Sequence, residues 1–286
     1  MTSTNVSTSS ARAHLACDRW SLEVVEHVAR TRRAQVWKAR GANGPSALKV
    51  YEGPNFGSEC LAIRFLQCLD RERAVRVHGV ASDLRAVHLE WLDGPTLARS
   101  MQDIGGDRTI AILVDAAHHV RSVDFGKTDD FKRISVRLRK VLKMDIGAEY
   151  PQRLRRNLEH VREITATLLA FPVDERAIHG DLFPSNIMMP PSGPRIIDPK
   201  AQFGEGAFEI AHIFMIDPDR DGIDRREKVI ERVSERYAEA FETTRERLIA
   251  WGAVRCALSI AASARGSVRE DARTNLLDLL LARASI

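Results

Sequence analysis

Residues 179–186 read HGDLFPSN, and residues 196–199 read IIDP. These two segments place two carboxylates, Asp181 and Asp198, and one amide, Asn186, on short loops beside apolar runs that predict buried strands. In a nucleotide kinase, Asp181 would accept the proton of an attacking hydroxyl. Asn186 and Asp198 would supply the oxygen ligands that Mg²⁺ prefers and hold the metal against nucleotide phosphates. The pattern therefore predicts a phosphotransfer site.

Each of these fragments alone is also compatible with an ordinary turn, because Gly, Asp, Asn and Pro are common turn residues. Their order and spacing favour the kinase interpretation. On the His-Gly-Asp-Leu run, the Asn after it and the Ile-Asp-Pro-Lys that follows, the sequence resembles the aminoglycoside phosphotransferase family, in its streptomycin-kinase-like (aminoglycoside/hydroxyurea resistance kinase) branch. The resemblance extends from about Leu22 to Phe214.

The resemblance implies a protein-kinase-like, two-lobed α+β fold. Such a fold has a small five-stranded antiparallel sheet with one helix, followed by a mainly helical C-terminal lobe. We expect residues 1–20, which begin Ser/Thr-rich, to be a disordered tail. Residues 21–93 would then form the N-terminal nucleotide-binding lobe, and residues 94–286 the C-terminal catalytic and acceptor-binding lobe.

The N-terminal half shows the short β-type runs that this fold requires. A helix with apolar residues at helical spacing is predicted to begin at Ser58–Glu59 and to run to Leu69. The predicted strands cover residues 22–28, 35–40, 47–50, 75–80 and 86–92.

A nucleotide site is predicted on this sheet. Lys49 stands between apolar neighbours at the end of the third strand, and the resemblance implies that it holds the α- and β-phosphates of ATP. A solvated strand lysine is the alternative. Glu59 is expected to pair with Lys49 and orient it, although an acid at a helix start is also favoured by the helix dipole. The resemblance further implies that the peptide groups from Glu90 to Leu92 meet the adenine while their side chains pack.

The loop at residues 29–34 contains no glycine, although kinase loops commonly use glycines to bring backbone N–H groups close to phosphates. The resembling branch has a similar glycine-poor loop. We therefore expect Thr31, together with Arg30 or Arg32, to contribute to nucleotide binding. The alternative is a loop that is only exposed and basic.

Helical periodicity dominates the second half. Only residues 199–207 separate Asp198 from the next predicted helix, and this segment is too short for the activation segment and peptide platform of a protein kinase. The acceptor is therefore expected to be a small molecule. The predicted helices cover residues 107–122, 131–144, 154–170, 208–214 (amphipathic), 225–241, 246–264 and 271–282.

Composition narrows the choice of partners. The chain has 286 residues and a net charge of +4, from 43 Lys and Arg against 39 Asp and Glu, without a basic block, so nucleic acid is not expected as a partner. The apolar run at 248–264 is interrupted by Arg255 and is too short to span a bilayer. Free thiols and a cytoplasmic location are expected, because the cysteines have no metal-like spacing. They are Cys17, Cys60, Cys68 and Cys256.

The leading hypothesis is an enzyme that uses ATP and Mg²⁺ to phosphorylate a hydroxyl of a small polar molecule, with an aminoglycoside such as streptomycin as first candidate. Glu205 and Glu209 follow Asp198 closely enough to border the acceptor site, where acids would suit a cationic drug. The alternative for either residue is a solvated or helix-capping acid. His179 and His212 are expected to be structural. The alternatives are a non-catalytic nucleotide-binding protein of the same fold and a kinase of an unidentified metabolite. The oligomeric state stays open.

Overall fold

The chain divides into two compact units. One comprises residues 1–96 together with 187–200, and the other comprises residues 97–186 together with 201–286. This division lies close to the predicted boundary after Asp93, but it returns residues 187–200 to the first unit. The computed structural model describes residues 3–31, 33–53, 56–57, 59–216, 223–263 and 271–285.

The first unit contains the predicted five-stranded antiparallel sheet, in the order β1-β2-β3-β5-β4. Burial alternates along the third strand, so that Leu48 and Val50 face one side of the sheet and Lys49 faces the other. The strands are β1 (Glu23–Arg30), β2 (Ala34–Gly41), β3 (Gly44–Tyr51), β4 (Val77–Ala81) and β5 (Ala86–Glu90).

Two helices cover the two faces of this sheet. Helix α1 (Ser3–Trp20) packs on the face that carries Leu48, and helix α2 (Glu59–Cys68) packs through Ile63 on the face that carries Tyr51. Helix α2 agrees with the predicted helix, although Ser58 lies outside the described residues.

Helix α1 corrects the prediction of a disordered tail over residues 1–20. Ala13, Ala16 and Cys17 are buried at the i, i+3, i+4 spacing of one helix face, and Trp20 continues that face. These small side chains let the helix approach the sheet closely. The Ser/Thr-rich start of the segment concealed the stripe, because a stripe of alanines carries little hydropathy signal.

Residues 187–200 form a hairpin that is hydrogen-bonded into the first unit. Its strands pair Ile187 with Ile196, and Ile196 also exchanges backbone hydrogen bonds with the segment around residue 74: Val75 N–H donates to its carbonyl at 2.9 Å. Gly94, at φ +155°, passes so close that an added Cβ would lie 2.5 Å from the Met189 carbonyl oxygen. The hairpin thus brings the segment that follows it into the first unit.

The second unit is mainly helical, and α9 is its central helix, buried around Trp251 and packed against α5, α6, α8 and α10. The helices are α3 (Leu97–Ile104), α4 (Gly106–Ser122), α5 (Ile134–Leu142), α6 (Gln152–Ala170), α7 (Gly206–Ile210), α8 (Ile223–Ala238), α9 (Arg245–Ser263) and α10 (Ala272–Leu281). The remaining strands are β6 (Lys132–Arg133), β7 (Glu175–Ile178), the hairpin strands β8 (Ile187–Met188) and β9 (Arg195–Ile196), and β10 (Gln202–Glu205).

One helix differs from its prediction. The predicted amphipathic helix over residues 208–214 is replaced by the short α7 and a following 3-10 helix, Ala211–Met215. Every residue from 206 to 214 is buried, so this segment has no solvated face. Its polar side chains, Glu209 and His212, each make a hydrogen bond inside the protein, as described below for the site.

Two further features concern the described part of the chain. No helix there is long and apolar enough to cross a membrane. All four cysteines are free, and two of them are buried.

The packing of α1 yields the first prediction. Replacing Ala16, which is fully buried, by Asp places an unpaired carboxylate against the sheet, at a cost of about 3 kcal/mol or more. The midpoint of thermal unfolding should fall by roughly 5 °C or more. Leu15→Asp is the matched control, because Leu15 is 54% exposed. Equal, small shifts for both variants would show that α1 does not pack on the sheet.

Candidate active site

The first unit brings together two of the predicted site residues. Lys49 Nζ lies 2.6 Å from Asp198 Oδ1, although 149 positions separate the two residues. The Lys49 side chain is 16% exposed, whereas that of Asp198 is 43% exposed. The lysine is therefore anchored on β3 with its charge compensated, while the carboxylate remains open to solvent and to a further ligand.

The backbone at Asp198 adopts an uncommon conformation. Its φ is +54°, in the left-handed region that non-glycine residues seldom occupy, although Asp is enriched there. Ala201, three residues later, is also left-handed, with φ +46°. Such conformations cost free energy and tend to occur at functional sites, where the surrounding contacts maintain them. Here the hairpin before Asp198 and the ion pair with Lys49 hold the carboxylate in place.

Charges around Lys49 favour its protonated form. Burial by itself lowers the pKa of the ammonium, but Tyr51, Asp198 and Glu59 act in the opposite direction and raise the pKa above its ordinary value. Burial also raises the pKa of Tyr51 to about 12, so Tyr51 is neutral near pH 7. Asp198 and Glu59 are then the charged groups that keep Lys49 cationic.

Glu59 does not make the predicted ion pair with Lys49 in this structure. Its carboxylate lies 3.6 Å from Arg33 Nη1, whereas Lys49 pairs with Asp198. Glu59 nevertheless lies near enough to raise the pKa of the lysine. Glu59 therefore acts on Lys49 only through its charge while its carboxylate pairs with Arg33, and its orienting role stays a prediction.

Thr31 closes the turn between β1 and β2. Its hydroxyl donates to the Ala34 carbonyl at 3.0 Å and accepts from the N–H groups of Arg33 and Ala34. A side-chain hydrogen bond of this kind replaces the glycine that such a turn often needs. The hydroxyl predicted to contact nucleotide is thus used within the turn. Of the two arginine candidates, Arg30 is the exposed last residue of β1, and Arg32 lies outside the described residues.

The segment predicted to meet adenine follows β5. The Glu90 N–H donates to the Arg76 carbonyl at 2.9 Å, and the Glu90 carboxylate accepts from the Arg76 N–H at 3.2 Å. The Leu92 side chain is buried. The Glu90 amide is therefore engaged within the first unit, and the peptide groups after it, through Leu92, lie beyond the paired part of the strand.

In the second unit, Asp181 lies on a loop whose shape depends on Gly180. Gly180 has φ +81°, and an added Cβ would lie 2.6 Å from Gln202 Oε1. His179 is buried, and its Nδ1 accepts a hydrogen bond from the Asp181 N–H at 3.2 Å. His179 is thus structural, as expected, and it fixes the backbone that carries the proposed base.

Asn186 continues the same hydrogen-bonded loop. Its Nδ2 donates to the Asp181 carbonyl at 2.7 Å, which orients the side-chain oxygen of the amide away from that bond. An amide oxygen and a carboxylate are hard ligands that suit Mg²⁺, so the donor chemistry of Asn186 and Asp198 fits this metal. Among the described residues no group of three His, Cys, Asp or Glu side chains could hold a metal ion.

Arg137 was missed by the sequence analysis. Its Nη2 donates to Asp181 Oδ1 at 3.3 Å, and its Nη1 donates to the Gly180 carbonyl and, at 3.4 Å, to Gln202 Oε1. The available signal was its position in α5, on the helix face shared by the buried residues Ile134 and Leu138. An arginine on an apolar helix face requires a partner, but the sequence does not name it.

The two acids expected to border an acceptor site are both buried and paired with arginines. Glu205 accepts from Arg247 Nε and Nη2 at 2.6 and 2.7 Å. Glu209 Oε2 accepts from the Gly180 N–H at 2.8 Å, and its Oε1 lies 3.7 Å from Arg255 Nη2. These carboxylates therefore stabilise the second unit and the loop of residues 179–186, and they do not form an acidic acceptor surface.

Arg255 and His212 are fully buried beneath this loop. Burial, with the charge of Arg137, lowers the pKa of Arg255 to about 10, so the guanidinium stays charged near pH 7 and lies 3.9 Å from the centre of the Phe208 ring. Burial, followed by the charge of Arg255, lowers the pKa of His212 to about 3. The His212 and Phe183 rings pack at a tilt of 46° with their centres 4.8 Å apart, so the phenylalanine of the HGDLF run is part of this cluster.

Neutral, buried His212 predicts a pH dependence of stability. Because its folded-state pKa lies below the ordinary value of 6.5, its contribution is complete above pH 6.5 and is lost as the pH falls towards 3. In His212→Asn, where the amide replaces the Nδ1–H donor to the Glu209 carbonyl, the melting temperature should fall less steeply between pH 7 and pH 4.5. His14→Asn, at an exposed position, is the control and should keep the wild-type slope. An unchanged slope in the His212 variant would contradict a neutral imidazole.

Comparison with known proteins identifies the family. Residues 19–266 match the model of the aminoglycoside/hydroxyurea antibiotic resistance kinase family. A search of curated protein sequences found no match.

Solved structures share the fold at low sequence identity. A putative fructosamine-3-kinase from Thermobifida fusca is 19% identical, with 95% of this chain and 97% of that chain covered and a TM-score of 0.56. A choline/ethanolamine kinase family protein from Mesorhizobium loti is 15% identical, with 97% and 93% covered and a TM-score of 0.60. A thermostable mutant of aminoglycoside phosphotransferase APH(4)-Ia, solved with ADP and hygromycin B, is 10% identical, with 96% and 99% covered and a TM-score of 0.62.

The protein-kinase-like fold and the five-stranded sheet are therefore confirmed. Because the family model spans most of the chain, including every predicted site residue, this protein belongs to the aminoglycoside/hydroxyurea antibiotic resistance kinase family.

Proposed function

We propose that this protein transfers the γ-phosphoryl group of MgATP to a hydroxyl of a small polar molecule. The observation that carries the proposal is the 2.6 Å contact between Lys49 and Asp198. It joins a phosphate-binding cation to a partly exposed carboxylate of the kind that holds Mg²⁺. Removing the ammonium and the carboxylate from water costs free energy. Packing alone therefore does not explain why these two charged residues lie at this position.

Each site residue then has a distinct role. Lys49 binds the α- and β-phosphates, and Asp198 and Asn186 each offer an oxygen to Mg²⁺. Bound magnesium neutralises phosphate charge. Asp181 orients the acceptor hydroxyl and accepts its proton as the new oxygen–phosphorus bond forms. The hydrogen bonds that His179 and Asn186 make to the Asp181 backbone support this role, because a base must be held in place to aim a nucleophile.

The remaining nucleotide contacts involve Glu59, the segment after β5 and Thr31. Glu59 would orient Lys49 once nucleotide binds, in exchange for its present ion pair with Arg33. The peptide groups from Glu90 to Leu92 would meet adenine. Thr31 would act through the turn that it closes, because its hydroxyl already has partners there. We also propose a cytoplasmic location, which suits a chain whose cysteines are free thiols.

The acceptor is the least defined part of the proposal. The family name points to aminoglycosides and hydroxyurea, and one structural neighbour was solved with hygromycin B. Streptomycin therefore remains the first candidate to test. Glu205 pairs with Arg247, and Glu209 pairs with Arg255. Neither acid is therefore left to bind a guanidinium of the substrate, which argues against a strongly cationic drug. A kinase of an unidentified metabolite is the second candidate.

A coupled assay of ADP release, with a panel of hydroxylated small molecules, tests the proposal. The panel should include streptomycin, hygromycin B, hydroxyurea, neutral sugars and amino sugars. Acceptor-stimulated ADP release that requires Mg²⁺ is the expected result. Tight MgATP binding without release for any acceptor would instead support a non-catalytic nucleotide-binding protein.

Asp198→Ala is predicted to abolish or strongly weaken MgATP binding. The change removes a metal ligand and the counter-charge of Lys49, and it removes little packing, because Asp198 is 43% exposed. Calorimetric titration with MgATP measures the effect, and thermal melting checks that the protein is folded. Asp93→Ala, another loop acid of the first unit, is the control. An unchanged MgATP affinity in Asp198→Ala would refute the metal assignment.

Asp181→Ala should behave differently. MgATP affinity should persist, while turnover falls by about 10²–10⁴-fold, because the base acts on the acceptor hydroxyl and not on the nucleotide. Asp129→Ala, at an exposed loop acid of the same unit, is the control for turnover. Wild-type turnover in Asp181→Ala would eliminate its role as the base.

A further inference from the structure

The structure places a partly exposed guanidinium on the carboxylate proposed to act as the base. Arg137 Nη2 donates to Asp181 Oδ1 at 3.3 Å, and the two side chains are 26% and 24% exposed. The opposite nitrogen, Nη1, donates to the Gly180 carbonyl and to Gln202 Oε1. Helix, loop and β10 thus fix one guanidinium at the point where the acceptor hydroxyl would bind.

The guanidinium beside Asp181 comes from outside the loop that carries Asp181. Residues 179–186 contain no Lys or Arg. Arg255 also interacts with the charge of Asp181, but it is buried beneath the loop, where it pairs with Glu209. Arg137 is therefore, among the described residues, a guanidinium beside Asp181 that a ligand can reach.

Elementary distances place the reacting phosphorus close to this guanidinium. A hydroxyl bound by a general base lies about 3 Å from its carboxylate, and a hydroxyl oxygen ready to attack lies about 3–3.5 Å from phosphorus. The phosphoryl group therefore passes within about 6 Å of the Asp181 carboxylate, which already accepts a hydrogen bond from Arg137. During transfer, negative charge is spread over the three equatorial oxygens of that group, and a guanidinium can donate to two of them at once.

We propose that Arg137 is a further catalytic residue, which binds the phosphoryl group during its transfer. The inference rests on the proposed kinase function. In the step, the acceptor oxygen bonds to the γ-phosphorus, the bond from that phosphorus to the β–γ bridging oxygen breaks to release ADP, and the hydroxyl proton passes to Asp181. Arg137 neither gains nor loses a proton. It stabilises the equatorial oxygens and keeps the Asp181 carboxylate aimed at the hydroxyl.

A bracing role alone makes a different prediction. If Arg137 only held the Gly180 carbonyl, its loss would disturb the loop and weaken the ground-state and transition-state complexes alike. If Arg137 binds the phosphoryl group, its loss weakens only the complex in which that group is planar and highly charged.

The experiment compares binding of MgADP with binding of MgADP plus aluminium fluoride, a planar phosphoryl mimic, by calorimetry. Wild-type protein should bind the second combination more tightly. Arg137→Met should keep its MgADP affinity within about two-fold but lose about 10²–10³-fold of transition-state stabilisation, which the loss of the aluminium fluoride enhancement and a matching fall in kcat would show. Arg139→Met, an exposed arginine of the same helix, should match wild type.

Arg137→Lys keeps the charge but not the two-pronged geometry and should recover part of the enhancement; it also serves if Arg137→Met does not fold. Retention of the full enhancement in the folded methionine or lysine variant, or an equal loss of MgADP affinity, would overturn the inference and leave the kinase proposal standing. Wild-type protein that binds MgADP without any enhancement would also overturn it. Wild-type protein that does not bind MgADP would overturn the proposed function itself, and the inference with it.

Discussion

The return of residues 187–200 to the first unit is the constraint on which the candidate nucleotide site depends. The hairpin is hydrogen-bonded to the backbone around residue 74, and the chain that leaves it turns through a left-handed Asp198 onto Lys49. A lysine side chain that is only 16% exposed is costly to keep charged without a counter-charge. The sheet therefore positions a cation whose partner must come from 149 positions away along the chain.

The second unit also pairs buried charges, beneath the loop of residues 179–186. Glu209 and Arg255 are both almost fully buried, and Glu209 in turn binds the Gly180 N–H. Removing one member of such a pair is typically worth about 3–5 kcal/mol, because the other charge is left buried and unpaired. The loop that carries Asp181 is thus coupled to the core of the unit through charges, and its geometry depends on α9 as well as on its own glycine.

Much of this fold could be predicted from sequence. The strands of the first unit were visible as short β-type runs between turn residues, and the HGDLFPSN and IIDP segments correctly predicted loops for Asp181 and Asp198, whereas Asn186 ends a 3-10 helix, Pro184–Asn186. Helix α1 was missed because its buried stripe is built from small residues such as Ala13 and Ala16. Strands β6, β7 and β10 have only two to four residues each, too few to show a period.

Partners across the chain could not be predicted in the same way. Glu205 and Glu209 looked like exposed acids because nothing local shows that Arg247 and Arg255, 42 and 46 positions away, reach them. Arg255 was visible as a single charge in an apolar run, and that signal excluded a membrane span without indicating what it pairs with. Arg137 gave the same kind of incomplete signal. A charged side chain on an apolar face indicates that it needs a partner, but only the tertiary structure shows which residue that partner is.

The central claim is that Asp198, which pairs with Lys49 in this structure, holds magnesium when nucleotide binds. Calorimetric titration of ATP into the wild-type protein, once with excess Mg²⁺ and once with a chelator, measures this most directly. ATP should bind at least about ten-fold more tightly with Mg²⁺ than with the chelator, since the metal joins a protein carboxylate to the phosphates. Equal affinity under both conditions would contradict it.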